Sequence, residues 1–561
     1  MLHPSKFTFS FGLIGGSNLT ISCGEWLLAN GHQIIWTLPR GKSIADWATQ
    51  KQIAVFDSQE SIQATSHSVD FIFSIVNDLL LTPEFLKLPR RFAINYHNAL
   101  LPRYGGVFAT SWAILNKEKE HGITWHQIES TIDTGNLLAQ RKFKIKKSDT
   151  GYSLNQHCYE AAFSAFKELL LPALESGNPG YQKQDLKKRT YYSLHKKPPF
   201  GGLLLWSEPT EHLELMVRAL NRGNIDNSFE LARIIFDDDI FIVHDLEPLM
   251  IKHLQVPGTI LQCDDKGMII ATSDGAVCVK KLITRKGESI NADELHKRHQ
   301  LKENHVLSVP SIAFGQKLQL KCEATSPDEV FCANAWRKAV AVPNRLSESG
   351  HIREIYAQLS AIPNEIKRNS EKAPLILIAL ALLLKHIIGD TVPVLYISSP
   401  LRKEIKGMES FFNSDLPFIV MLQNNKNVKD MMAGLTKKME KISHRGLHSK
   451  DLFIRRKIVP KMLPLAIETG KNIQKIHLPD AHLIIQLHPS KNTFCITTHP
   501  LCDKEIYNYV SRLNFTETLN SMISLLSNDK NSPAMDFLKL PEVTLMPEKK
   551  TYLSPTQHDL H

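Results

Sequence analysis

Cysteine is scarce and scattered in this chain. Eight occur in 561 residues, at Cys23, Cys158, Cys263, Cys278, Cys322, Cys332, Cys495 and Cys502, and no two form a C-x-x-C pair. This spacing excludes a disulfide framework and a thiolate metal knot and suits a reducing, cytoplasmic setting, so no metal is expected. Long apolar runs are also missing: Leu375–Leu384 stops at Lys385, well short of the roughly 20 residues that cross a bilayer, so no membrane partner is expected. Phe7–Ile14 follows Lys6 in the manner of a leader, but Gly12 interrupts it and Gly15-Gly16 ends it, which reads as a first strand and its turn. Charge of one sign is in only mild excess, +10 from 67 basic and 57 acidic residues. The basic clusters Lys144–Lys147, Lys183–Arg189 and Arg455–Lys461 lack interleaved aromatics for base stacking, so they read as solvated faces and no nucleic-acid partner is expected. Gly12-Leu-Ile-Gly-Gly-Ser lacks the G-x-G-x-x-G spacing, and no ribose-binding carboxylate follows it, which argues against NAD.

What is present is a long chain of ordinary soluble composition, too long for one core, so three or four domains are expected. The first part alternates strand and helix signals: strand Phe9–Ile14, helix Leu19–Ala29, strands His32–Leu38, Phe71–Val76 and Phe92–Tyr96, and a closing helix Ser153–Ser176. This order predicts a mostly parallel sheet wound with helices. A Lys/Pro-rich linker, Lys196–Gly202, leads to a helix Glu211–Leu220 and short strands at Ile240–His244, Gly258–Gln262, Met268–Thr272 and Ala276–Ile283, a small β-barrel-like unit. Beyond it come a helix Leu375–Ile388, a strand Pro393–Ser398, a helix Val428–Arg445, strands Leu483–Leu487 and Thr493–Thr497 paired across a Pro489–Asn492 turn, and a helix Asp503–Ser527. The tail from Pro547 is polar.

The chemistry concentrates in one segment. Asn95 and His97 stand at i and i+2 on a strand end, so their side chains leave by one face. Asp133 comes from a separate turn after the strand-like Ile123–Ile128. An amide, an imidazole and a carboxylate can together polarise a carbonyl and move a proton without a covalent intermediate. A carboxylate beside the imidazole favours the imidazolium, the better oxyanion partner. His126 reads as a structural neighbour of this trio.

The flanking residues make the reading specific. Phe92-Ala-Ile-Asn-Tyr-His-Asn-Ala-Leu-Leu-Pro-Arg-Tyr-Gly-Gly, Thr110-Ser-Trp-Ala-Ile-Leu, His121-Gly-Ile-Thr-Trp-His-Gln-Ile and Asp133-Thr-Gly-Asn-Leu-Leu, in that order, resemble the formyltransferase family. The resemblance implies transfer of a formyl group from 10-formyltetrahydrofolate, a co-substrate, to an amine. It also implies an α/β chain: a Rossmann-like catalytic domain at 1–185 and the family's C-terminal β domain at 205–305. Within it, Asn95 and His97 are implied to bind the formyl oxygen, and Asp133 to orient His97 and handle a proton. The pterin pocket is implied at Val76, Asn77, Asp78, Leu79 and Leu80, largely through backbone, with Ser130, Thr131 and Ile132 as its other wall. Asp70 and Asn77 are polar candidates there that capping explains equally well. Leu101, Pro102, Tyr104, Gly105 and Gly106 form the substrate loop, with a rigid start and a flexible finish. The chain departs from the family's His-Pro-Ser with His97-Asn98-Ala99, which leaves the trio intact and the loop's shape open.

Residues 315–545 resemble the C-terminal half of a condensation domain of non-ribosomal peptide synthetases, in a chloramphenicol-acetyltransferase-like α/β half-domain. No adjacent His-His pair exists in the chain, so this implies a lobe without its own chemistry; 546–561 is read as a flexible tail. Thr37–Trp47 is short and lacks the extended basic Gly-rich loop of tRNA formyltransferases. The expected acceptor is therefore an aminoacyl group on a carrier protein, with peptide-synthetase or polyketide-synthase partners. A sugar-nucleotide or methionyl-tRNA formyltransferase, a non-catalytic carrier-docking scaffold and a folate hydrolase stay open as alternatives.

Overall fold

The computed structural model of the chain describes residues 8–539, apart from 66, 237–238, 300–303, 344–345, 347–356, 362–368, 470–480, 489–492, 500–501, 512–514. The tail expected at 546–561 and the turn expected at 489–492 lie outside the described residues. These residues group into two units. The first holds 8–234, 241–283 and 289–319; the second holds 235–240, 284–288 and the residues from 320 onward.

The sheet that carries the trio has seven strands: β1 (Ser10–Gly15), β2 (Gln33–Pro39), β3 (Ala54–Val55), β4 (Phe71–Ile75), β5 (Phe92–His97), β7 (Glu120–Gln127) and β8 (Leu137–Lys144). A short β6 (Gly105–Gly106) pairs instead with β9 (Tyr191–Tyr192). The order across the sheet is β3-β2-β1-β4-β5-β7-β8. β1 through β5 run parallel, each crossing over through a helix or loop. β7 and β8 return antiparallel as a hairpin on β5. The mostly parallel expectation therefore holds as far as β5.

Aromatic side chains fix one face of this sheet. Phe9, Phe11, Phe71 and Phe73 meet at centroid separations of 5.4–6.5 Å, and Phe73 continues to Trp125 and Phe166. All six are buried, each worth about 1.5–3 kcal/mol of transfer free energy. The helix expected at 153–176 runs as Gly151–Ala165, a π-helical turn Phe166–Leu170 and Leu171–Glu175. Thr150 and Ser153 cap its start reciprocally.

The linker reading at 196–202 is corrected. Lys197 is fully buried and donates to Ser228 O at 2.7 Å, with Glu230 at 3.4 Å, so this segment is built into the fold. After the helix Thr210–Leu220, strands 233–236, 239–249, 276–284, 267–271 and 260–264 follow one another across a sheet, and 289–290 pairs with 276–284.

In the second unit the apolar run becomes a helix, Asn369–Leu383, whose residues 373–383 are all buried. A helix apolar on every side belongs in a core, and this one packs against Val428–Arg445 and Phe515–Asn528. Among the described residues no helix is long and apolar enough to cross a membrane. A mixed sheet of order 357–361, 493–498, 481–488, 463–469, 391–398, 415–421 lies in the same unit. Of the helix expected over 503–527, Lys504–Val510 and Phe515–Asn528 are helical, and 512–514 lie outside the described residues.

Candidate active site

The trio assembles at the carboxyl end of β5. In the β5–β7 ladder Asn95 stands opposite His126 and His97 opposite Thr124. Cross-strand partners share a face, so the pairing that brings Asn95 to the site brings His126 with it. His126 Nδ1–H donates to Gln127 O at 2.8 Å, which leaves Nε2 to accept from the Asn95 amide at 3.2 Å. His97 Nε2–H donates to Tyr104 O at 2.8 Å, which leaves its Nδ1 lone pair 3.6 Å from Asp133 Oδ2. The other carboxylate oxygen, Oδ1, is 3.5 Å from His126 Nε2. Asp133 thus stands between two imidazoles, in the left-handed region at φ 57°. Non-glycine residues rarely adopt that conformation, and those that do concentrate at working sites.

Asp133 is buried, and burial by itself works to raise its pKa. Attraction to the His97 and His126 rings in their protonated forms, and the Gly106 N–H 2.7 Å from Oδ2, prevail and hold the carboxyl well below the usual carboxylate range. For His97 the balance goes the other way. Burial pushes it below the ordinary imidazole value despite the pull of Asp133, so the expected imidazolium is corrected to a neutral ring at rest. His121, bonded through Nε2 to Asn98 O at 2.8 Å, is pushed down to about 4 by burial. The resting site is one fixed negative charge beside a neutral imidazole with an available lone pair.

The substrate loop is pinned along its length, which corrects the flexible finish. Leu101 N–H donates to Thr124 Oγ1 at 3.1 Å, Gln140 Nε2 donates to Leu101 O at 3.0 Å, and the Leu101–Pro102 bond is cis. Thr190 N–H donates to Pro102 O at 3.3 Å, and Tyr104 N–H donates to Thr190 Oγ1 at 2.8 Å. The Tyr104 ring stacks on Tyr192, and its hydroxyl donates to Glu118 at 2.7 Å. Gly105 and Gly106 form β6 against Tyr191 and Tyr192. At Gly106, φ is +93° and a Cβ would sit 2.1 Å from Tyr192 O, so only glycine fits.

The two expected pterin walls flank the trio. Ser74 pairs with Asn95 across β4 and β5, so Val76 to Leu80 leave the sheet beside Asn95. Val76 is half-buried at φ 54°. Asn77 is committed to its own turn: Oδ1 accepts from Leu79 N at 3.0 Å, and Nδ2 donates to Leu79 O at 2.8 Å. Asp78 pairs with Arg40 at 2.9 Å, and Leu80 is 72% exposed. On the other wall Ser130, Thr131 and Ile132 are exposed, directly before Asp133. An exposed Leu80 and Ile132 with adjacent backbone groups suit a flat heteroaromatic ring that bonds along its edge. Asp70 does not join them. It accepts from Ser10 N and Oγ and pairs with Arg90, at the start of β4 rather than its end.

Sequence reasoning missed Gln184 and Arg189. Gln184 Nε2 donates to Asp133 O at 3.0 Å and Gly135 O at 2.7 Å, and Arg189 Nη2 donates to Ile132 O at 3.1 Å. They clamp the Asp133 turn from a segment with no motif. His126 had a signal, its alternation with Thr124, which becomes decisive only once β7 is known to pair with β5. Among the described residues no group of three His, Cys, Asp or Glu could hold a metal ion.

Two family models match this chain: formyl transferase over residues 42–170, and the formyl transferase C-terminal domain over residues 201–300. A methionyl-tRNA formyltransferase of Legionella pneumophila is 28% identical over 288 residues, 48% of this chain and 88% of its own. A GDP-perosamine N-formyltransferase of Brucella melitensis is 33% identical over 153 residues, 27% of this chain and 56% of its own. Among solved structures, HypX from Aquifex aeolicus matches at 16% identity with a TM-score of 0.40, covering 54% of this chain and 49% of that one, about half its length. An N-formyltransferase from Helicobacter canadensis matches at 21% identity and a TM-score of 0.38, covering 48% of this chain and 98% of that one. Residues 42–170 and 201–300 thus match the N- and C-terminal domains of the formyltransferase family, and this part of the chain is that of an enzyme.

Proposed function

We propose that the chain transfers a formyl group from 10-formyltetrahydrofolate to an amine, with Asn95, His97 and Asp133 as the reacting machinery. The observation that carries this reading is the ionised Asp133 held between His97 and His126, with the Asn95 amide beside them. The amine nitrogen attacks the formyl carbon, and the carbonyl oxygen becomes an oxyanion. Asn95 Nδ2–H supplies a donor to that oxygen, typically worth roughly 3 kcal/mol of barrier. The attacking nitrogen loses a proton to the Asp133–His97 pair. The low pKa of Asp133 makes it a weak final acceptor, and the neutral His97 keeps Nδ1 free to take the proton. The resulting imidazolium stands beside a carboxylate and stabilises the oxyanion. Collapse breaks the bond from carbon to the folate nitrogen, which takes up the proton and leaves as tetrahydrofolate. Val76–Leu80 and Ser130–Ile132 would hold the pterin between them.

For the acceptor, the reading is an aminoacyl group on a carrier protein, with 315–545 as a condensation-like lobe that docks the carrier and 1–185 and 205–305 as the transferase domains. The mixed sheet of the second unit and the short Thr37–Trp47 segment support it. A second reading, an amine on a nucleotide sugar or on tRNA, is favoured by the names of the Brucella and Legionella relatives. The test is tetrahydrofolate release from 10-formyltetrahydrofolate, with N-formyl product identified by mass, across aminoacyl-pantetheine, amino-sugar nucleotide and methionyl-tRNA acceptors. Product only with the pantetheine acceptor supports the first reading, and product only with the others replaces it. Folate release without any acceptor identifies a hydrolase.

A further inference from the structure

Arg222 lies one residue beyond the helix Thr210–Leu220 and its cap Asn221, and its guanidinium is set against the segment that leads out of the substrate loop. Its carbon sits 5.0 Å over the Phe108 ring, and Phe108 is two residues past Gly106, at most about 7 Å along the backbone. Nη1 donates to Ser111 Oγ at 3.3 Å, and that is its one side-chain hydrogen bond to the described residues. Nε is buried with no partner, and no carboxylate among the described residues pairs with the group. Asn98, next to His97, donates to Asn155 Oδ1 at 2.9 Å.

A guanidinium offers five N–H donors in a fork that matches carboxylate and phosphate oxygens. Withdrawn from water without a counter-ion it is costly, and stacking on Phe108 offsets only part of that cost. Burial accordingly lowers its pKa to about 10. The residue as a whole is only half-buried, although its Nε is enclosed. Elsewhere in this unit other arginines have their anions: Arg40 has Asp78, Arg90 has Asp70, Arg103 has Glu118 and Arg218 has Glu214. Arg222 differs from these four and stacks on the segment that follows the substrate loop.

We propose that Arg222, with Ser111 and Phe108 beside it, is the anion-recognising end of the acceptor site, so that the amine formylated carries a carboxylate or a phosphate ester. This rests on the formyl-transfer reading but not on the aminoacyl-carrier acceptor, whose thioester leaves no carboxylate beside the amine, and it adds the acceptor's charge. Recognition needs no covalent step: the anion supplies the missing partner and fixes the amine's direction of approach to Asp133.

The test uses the full chain and acceptor pairs that differ only in an anion, glycine against glycinamide and O-phosphoethanolamine against ethanolamine. The wild type should favour one anionic member by at least roughly 30-fold in kcat/KM, and the favoured pair tells carboxylate from phosphate. In Arg222→Gln that preference should collapse through KM with kcat nearly kept, and Arg222→Lys should retain part of it. Titration with inorganic phosphate and with acetate, followed by thermal shift, gives a readout independent of turnover. Anion binding in the wild type that Arg222→Gln abolishes supports the site even if no acceptor is formylated, an outcome that would sink the transferase reading alone. Formyl transfer with equal KM for both members of each pair, in wild type and variant, overturns the site and leaves the transferase reading standing. If Arg222→Gln does not fold, the Arg222→Lys titration decides, and unchanged anion affinity there counts against the fork.

Discussion

Replacing Asp133 by Asn removes one charge and almost no volume. The amide oxygen can still accept from Gly106 N–H, so the 2.7 Å contact that seats the loop survives. What disappears is the attraction between the carboxylate and an imidazolium formed on His97 at 3.6 Å. At an effective dielectric near 20 that attraction is about 5 kcal/mol. Some relaxation is expected, so a loss of about 3–5 kcal/mol of transition-state stabilisation follows, or roughly 10²–10⁴-fold in kcat/KM. Because Asp133 carries the charge while the pterin walls lie at 76–80 and 130–132, folate affinity should change by less than about threefold. Stopped-flow measurement of tetrahydrofolate release, with fluorescence titration of a folate analogue, separates the two effects. A variant that keeps kcat/KM within tenfold of wild type refutes the charge argument. One that loses folate affinity in step with rate shows that Asp133 shapes the pocket rather than driving the chemistry.

Acidification should expose the buried histidine. The folded-state pKa of His121, about 4, lies below the ordinary 6.5, so the unfolded chain binds the extra proton first. Stability is therefore present in full above pH 6.5 and falls as pH drops toward 4, by about 3 kcal/mol at most; denaturant midpoints across that range should flatten in His121→Gln, and an unchanged slope contradicts the assignment. Gly106→Ala should lower stability by at least about 2 kcal/mol and activity further still, because its Cβ meets Tyr192 O at 2.1 Å, and a wild-type melting temperature would exclude this geometry. Gln184→Leu removes two hydrogen bonds to the Asp133 turn, with an expected cost of about 1–3 kcal/mol in stability and a lower kcat; a silent variant shows that the turn holds itself. In the second unit Arg455 pairs with Asp451 at 2.9 Å and with Glu329, all buried, so Arg455→Ala should cost about 3–5 kcal/mol in unfolding of that unit.

How much of this was legible in the sequence depended on the range of the interaction. The strand ending in His97 and the turn carrying Asp133 were visible because local patterns define them: apolar alternation, then turn residues. The same held for Val428–Arg445, where apolar spacing and the Asn427 cap coincide. The hairpin return of β7 and β8 was not, since antiparallel pairing on β5 is a property of topology. Nor does sequence reveal that Lys197 is buried, because a Lys/Pro-rich stretch looks solvated until Glu230 and Ser228 are found around it. The sign of the His97 shift was missed for a related reason. Proximity to a carboxylate can be read from a motif, whereas desolvation depends on everything packed around the ring.

Two of the groups that set the state of this site belong to the main chain: the Tyr104 carbonyl that fixes which nitrogen of His97 is protonated, and the Gly106 amide that steadies Asp133. Neither can be deleted by changing a side chain. Their presence is stored in the path of the backbone, which Tyr192 and Thr190 hold from a segment some ninety residues away. Drift at position 103, or in the aromatic pairing of 104 with 192, can therefore retune the acid–base balance by fractions of an ångström while every reacting residue stays the same. Engineering this transferase for a new amine can leave Asn95, His97 and Asp133 alone and work instead on the strand at 191–192, as one adjusts an instrument at its mounting rather than its lens.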